Sequence, residues 1–165
     1  MTARYIWGEE ALLLLYYIYI RMTIERMDLA MRLGAIVIDS DNVEELSDFY
    51  ARLLGWTKSS QIQDGEKWIT VVKDDFSETP IVFQEDINYR KPKWPSDKED
   101  QQQMIHLDFY VCADEFESKI KHAIICGANM PEPQFSNNWK VMLDPSGHPF
   151  CIIPIPKDIY QQRYS

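Results

Sequence analysis

The sequence has no cysteine framework. Cys112, Cys126 and Cys151 are odd in number and show no CxxC spacing, which excludes a disulfide scaffold and a paired-cysteine zinc site. It has no basic stripe either. Its 17 Lys and Arg are scattered among 26 Asp and Glu, for a formal charge of −9. A phosphate backbone would be repelled by that surface, so nucleic acid is not an expected partner. Long apolar runs are equally scarce. The run Ala11–Ile20 is too short to cross a bilayer as a helix. Glu9 and Glu10 precede it, where a secretory signal would carry positive charge. A cytoplasmic protein with no membrane partner is expected.

What is present is apolar and aromatic enough for one compact domain with a real core. The domain is organised by an internal repeat. Leu33–Ile38 reads as a buried strand, and Asp41-Asn42-Val43-Glu44 follows as an acidic helix cap. Leu46, Phe49, Tyr50 and Leu53 recur at helical spacing, and Gly55 stops the helix. The design returns about 73 residues later, as counted between the two caps. His106–Val111 is the second strand, Asp114-Glu115 the second cap, Phe116, Ile120 and Ala123 the apolar stripe, and Gly127 the stop.

Extended stretches follow each helix. Ser59–Gln63, Lys67–Lys73 and Pro80–Glu85 belong to the first unit; Met130–Phe135, Trp139–Leu143 and Pro149–Ile155 belong to the second. The expected fold is therefore α+β: two βαβββ modules forming a curled mixed sheet around a pocket, with helices on the outer face. The modules cover 31–86 and 105–157, joined by a Pro-, Lys- and Asp-rich linker over 87–104. Residues 1–30 stand outside the repeat as an N-terminal extension of helical character, and 158–165 form a C-terminal tail.

Three stretches resemble a known family. They are Asp41–Trp56, reading DNVEELSDFYARLLGW; Phe83-Gln84 through Trp94-Pro95 into His106–Phe109; and Trp139–Cys151, closing on DPSGHPFC. In this order they resemble the vicinal oxygen chelate superfamily of glyoxalases, bleomycin-resistance proteins and extradiol dioxygenases, the glyoxalase-like branch in particular. The resemblance implies a ligand pocket between the modules and, in the enzymes, one divalent metal held by His, Gln and Glu side chains.

The metal set is incomplete on this reading. His106 stands at the ligand position of the second module, and Gln84 can fill another. The matching position in the first module is Leu33, or Gly34 with a one-residue slip, and neither side chain binds metal. Cys151 stands where the family has a carboxylate, and a thiol is an odd substitute at an oxygen-chelating centre. Strand alternation puts His106, Asp108, Tyr110 and Cys112 on one face and Leu107, Phe109 and Val111 on the other. Asp108 would then hydrogen-bond His106 or serve as a general base.

Trp68, Tyr89, Trp94 and Trp139 can form a stacking wall for a planar or cationic ligand. His122 and Cys126 share a helix face, and His148 sits in the turn after Asp144; both read as structural. The expected function is small-molecule binding through His106, Asp108, Tyr110, Gln84, Trp94, Trp139 and Cys151, with no cofactor. The alternative is a glyoxalase-type lyase or dioxygenase with one Zn, Ni, Fe or Mn ion at His106 and Gln84. A homodimer is the expected assembly.

Overall fold

The computed structural model describes residues 33–63, 65–100 and 105–164. The expected N-terminal helix lies outside them. From Gly34 onward the chain forms one compact unit. Its elements are β1 (Ile36–Ser40), α1 (Val43–Leu54), β2 (Thr57–Gln63), β3 (Glu66–Val72) and β4 (Ile81–Glu85). Then follow β5 (Leu107–Cys112), a 3-10 turn over Ala113–Glu115, α2 (Phe116–Cys126), β6 (Lys140–Leu143), β7 (Pro149–Ile155) and α3 (Lys157–Tyr164). The fold is α+β, with two mixed sheets ordered β1-β4-β3-β2 and β5-β7-β6. Each module pairs its first strand in parallel with its last, β1 with β4 and β5 with β7.

Helix α1 starts one residue later than the acidic cap suggests. Asn42, not Asp41, is the N-cap: its side-chain oxygen accepts from the Glu45 amide at 3.2 Å, and its side-chain NH₂ donates back to Glu45 Oε2 at 2.9 Å. Such a cap contributes about 1 kcal/mol. Gly55 closes the helix at φ 67°, in the left-handed region where glycine has no Cβ penalty. In the second module, Asp114 falls inside the 3-10 turn and no side chain caps α2. Strand β1 also starts three residues later and ends two residues later than its expected span. Ala35, rather than Leu33 or Gly34, therefore precedes β1 as His106 precedes β5. None of the three offers a donor side chain.

The second module has three strands rather than four. Pro131 and Pro133 lack backbone N–H groups and cannot complete a ladder over 130–135. Only Asn129 makes a bridge, to Leu143. A side chain takes the missing strand's place. Gln134 Nε2 donates to the Val141 carbonyl at 3.0 Å, while its Oε1 accepts from the Val141 amide at 3.0 Å.

A single core joins the two sheets. Phe49 and Tyr50 of α1 are fully buried; Phe49 meets Phe150 of β7 with ring centroids 5.9 Å apart. Tyr50 stacks on Phe83 of β4 at 5.3 Å, and Phe109 of β5 sits edge-on to Phe150 at 5.6 Å. Burying each ring contributes roughly 1.5–3 kcal/mol. With Leu107, Phe109 and Val111 committed to this core, Asp108 points to the opposite face.

Candidate functional site

Register builds the polar end of a pocket on that opposite face. Asp108 of β5 pairs with Cys151 of β7, and Cys151 pairs with Val141 of β6. Residues paired directly across strands share a face, so the three side chains stand in a row. His106, just before β5, reaches back so that its Nε2 lies 3.2 Å from Asp108 Oδ1. One candidate ligand atom from each of His106, Asp108 and Cys151 falls within 4.8 Å of the others. Burial pushes the Cys151 thiol up to about 11, helped by the Asp108 charge and by the hydrogen bond the thiol donates to it.

Around this end the chain shapes an open apolar cavity of about 430 Å³. Trp94 from the linker, Phe135 and Trp139 form its aromatic walls, and Val141, Pro149 and Ile153 its floor. Trp94 packs edge-on against Phe135 with centroids 6.3 Å apart. Its indole Nε1 is buried without a hydrogen-bond partner. An apolar concavity with a few converging polar groups is the form small-molecule sites usually take. Larger cavities of about 780 and 690 Å³ exist, but mixed charged residues line them, including Lys73, Glu78 and Arg163 in one and Asp39, Asp86 and Arg90 in the other. His106 borders the 690 Å³ cavity as well as the aromatic pocket.

The structure thus brings together five of the residues singled out from sequence: His106, Asp108, Cys151, Trp94 and Trp139. It places two elsewhere. Gln84 lies in the four-stranded sheet, where its side-chain amide donates to Glu66 Oε2 at 2.8 Å. Tyr110 is absent from the aromatic pocket and lines the 780 Å³ cavity beside Tyr160 and Arg163 of α3, a cavity that Asp108 also borders. Phe135, Val141 and Ile153 belong to the pocket without having been selected. Strand parity with Cys151 flags Val141 and Ile153; nothing in the sequence flags Phe135.

The other candidates form a structural network. The buried Tyr50 hydroxyl donates to Asp144 Oδ2 at 3.1 Å, and Asp144 Oδ1 accepts from the His148 amide at 2.9 Å. His148 Nδ1 lies 3.0 Å from Asp144 Oδ2, while Tyr89 donates to the Ser146 carbonyl at 2.7 Å and meets His148 Nε2 at 3.0 Å. This network ties α1 and the linker to the β6–β7 turn. His122 approaches Cys126 at 3.7 Å and the Leu53 carbonyl at 3.2 Å.

One imidazole, one carboxylate and one thiol could hold an ion, yet they do not fit a hard, oxygen-chelating one. A thiol is a soft donor beside a single carboxylate, burial raises the pKa at which it would give up its proton, and Gln84 is engaged on another sheet. Among the described residues no other three His, Cys, Asp or Glu side chains converge in this way.

Comparison with known proteins agrees with the fold. The fosfomycin resistance protein FosX from Listeria monocytogenes superposes with a TM-score of 0.55 at 12% identity, covering 84% of this chain and 99% of its own. A FosX mutant complexed with Mn(II) and 1S,2S-dihydroxypropylphosphonic acid gives 0.54 at 15%, covering 83% and 100%. A glyoxalase/bleomycin resistance protein/dioxygenase family enzyme from Burkholderia phytofirmans gives 0.56 at 19%, covering 76% and 99%. No curated protein sequence matches the chain. The model of the glyoxalase-like domain matches residues 35–153, across both modules, and the chain belongs to that family.

Proposed function

We propose that the protein binds a small molecule in the manner of the glyoxalase/bleomycin-resistance type, without a complete catalytic metal site. The observation that carries this reading is the aromatic pocket of about 430 Å³ ending on His106, Asp108 and Cys151. The phosphonate in the FosX complex is an anion, whereas no Lys or Arg lines this pocket. Chelator-treated protein titrated with a broad small-molecule library, followed by tryptophan emission, tests the reading. Saturable binding without metal supports it. Silence towards the library, together with metal-dependent turnover of a 2-oxoaldehyde–thiol adduct, overturns it.

The second reading is a metal-dependent lyase or dioxygenase using His106. The convergence of three ligand atoms within 4.8 Å favours it. A thiol in the set directs it towards borderline ions such as Zn rather than Mn. Stoichiometric metal after gentle purification, lost in His106→Ala, would establish it.

The proposal extends to assembly and location. A homodimer is supported by exposed Val37 and Ile105, which line one cavity beside His106; a monomeric mass in solution would refute it. Cys112, Cys126 and Cys151 are all unpaired and buried, which suits a reducing cytoplasm. Among the described residues no helix is long and apolar enough to cross a membrane.

A further inference from the structure

We propose that the pocket selects an aromatic cation, an inference that rests on the binding reading above. Charge is the ground. Among the described residues that line this pocket Asp108 is the one carboxylate and there is no Lys or Arg; Lys73 and Arg163 line the 780 Å³ cavity that Asp108 also borders. Asp108 accepts from the Cys151 thiol and lies 3.2 Å from His106 Nε2, so both neighbours address it. A carboxylate offers about four lone-pair sites, which leaves room for a further donor. Asp108 keeps 39% of its side-chain surface exposed, so a ligand donor can reach it and form a charge-assisted hydrogen bond.

The walls favour the same charge. Trp94, Phe135 and Trp139 are electron-rich rings around a carboxylate, the arrangement in which a quadrupole and a negative charge attract a cation together. An anion would face the Asp108 charge, with His106 the one described lining residue able to carry the opposite sign.

Body and charge together define the class: a flat apolar ring system with a protonated amine at one end.

Calorimetric titration of the full chain at neutral pH tests this with matched probes: 2-naphthylmethylammonium, 2-naphthoate and 2-naphthylmethanol. The ammonium should bind about tenfold or more tighter than the carboxylate. Asp108→Asn should bring that ratio near one while leaving affinity for the neutral alcohol within about twofold, which also shows that the variant is folded. Equal affinity for ammonium and carboxylate, with the alcohol still bound, overturns the charge assignment and leaves the pocket standing. Failure of every probe, the alcohol included, overturns the pocket reading itself.

Discussion

The Tyr50 hydroxyl donates to Asp144 Oδ2 at 3.1 Å, linking α1 to the β6–β7 turn across 94 positions of sequence. Both side chains are buried, and Asp144 has no exposed side-chain surface. Burial, and then the Asp144 charge, hold the Tyr50 phenol well above its ordinary range. This bond fixes the turn that leads into β7, and with it the position of Cys151.

Tyr50→Phe should therefore destabilise the protein by about 1.5–3 kcal/mol, the usual worth of a hydrogen bond to a charged partner. Urea denaturation of the variant beside the parent measures it. A loss below about 0.5 kcal/mol would mean that water replaces the phenol at Asp144.

Cys151 should resist alkylation. With its thiol pushed up to about 11 from an ordinary 9, the thiolate is about a hundredfold rarer at pH 8 than in an unshifted cysteine. Iodoacetamide labelling read by mass spectrometry should rise towards pH 11, and Asp108→Asn should move the rise to lower pH. The linkage sign follows. The folded state keeps a proton that the unfolded state has lost, so this contribution is whole below about pH 9 and lost as pH climbs to 11. A labelling midpoint near 9 in the folded protein would contradict the geometry.

Mn(II) should bind poorly. After equilibration with excess Mn(II) and desalting, less than about a tenth of an equivalent should remain, because the donor set includes a protonated thiol. Electron paramagnetic resonance of the Mn(II) that acid releases from the desalted protein gives the number directly. Near-stoichiometric retention, abolished by His106→Ala, would favour the metal-dependent reading.

Gly147→Ala should cost about 1–3 kcal/mol. Its φ of 89° is one that side-chain-bearing residues rarely adopt, and an added Cβ would sit 2.6 Å from Lys91 Cε. The lysine can swing away, but the backbone cannot. Gly147→Ala with Lys91→Ala should consequently recover only a small part of the loss, as thermal melts would show.

Much of this architecture was legible in sequence because it is periodic. The strand–cap–helix–glycine repeat sets α1 and α2 through Leu46, Phe49 and Ile120, and alternation puts Asp108 opposite Leu107 and Phe109. Alternation also joins Cys151 to Asp108 once β5 and β7 are paired. What escaped is whatever depends on irregular chain. The three-stranded second sheet follows from two prolines and one glutamine side chain. Phe135 enters the pocket from a loop whose path no periodicity describes. Gln84 looked available as a ligand because Glu66, its partner across β3 and β4, is 18 positions away.

Gln134 has a further consequence. By occupying both hydrogen-bonding groups of Val141 it leaves the outer side of β6 with no open backbone pair at that residue, the kind of site where a foreign strand docks. Gln134→Ala would return that pair to solvent beside the apolar Val141 and Met142. The variant should then self-associate on storage, with a rise in thioflavin T signal that the parent lacks. One amide side chain thus guards the protein against templated aggregation.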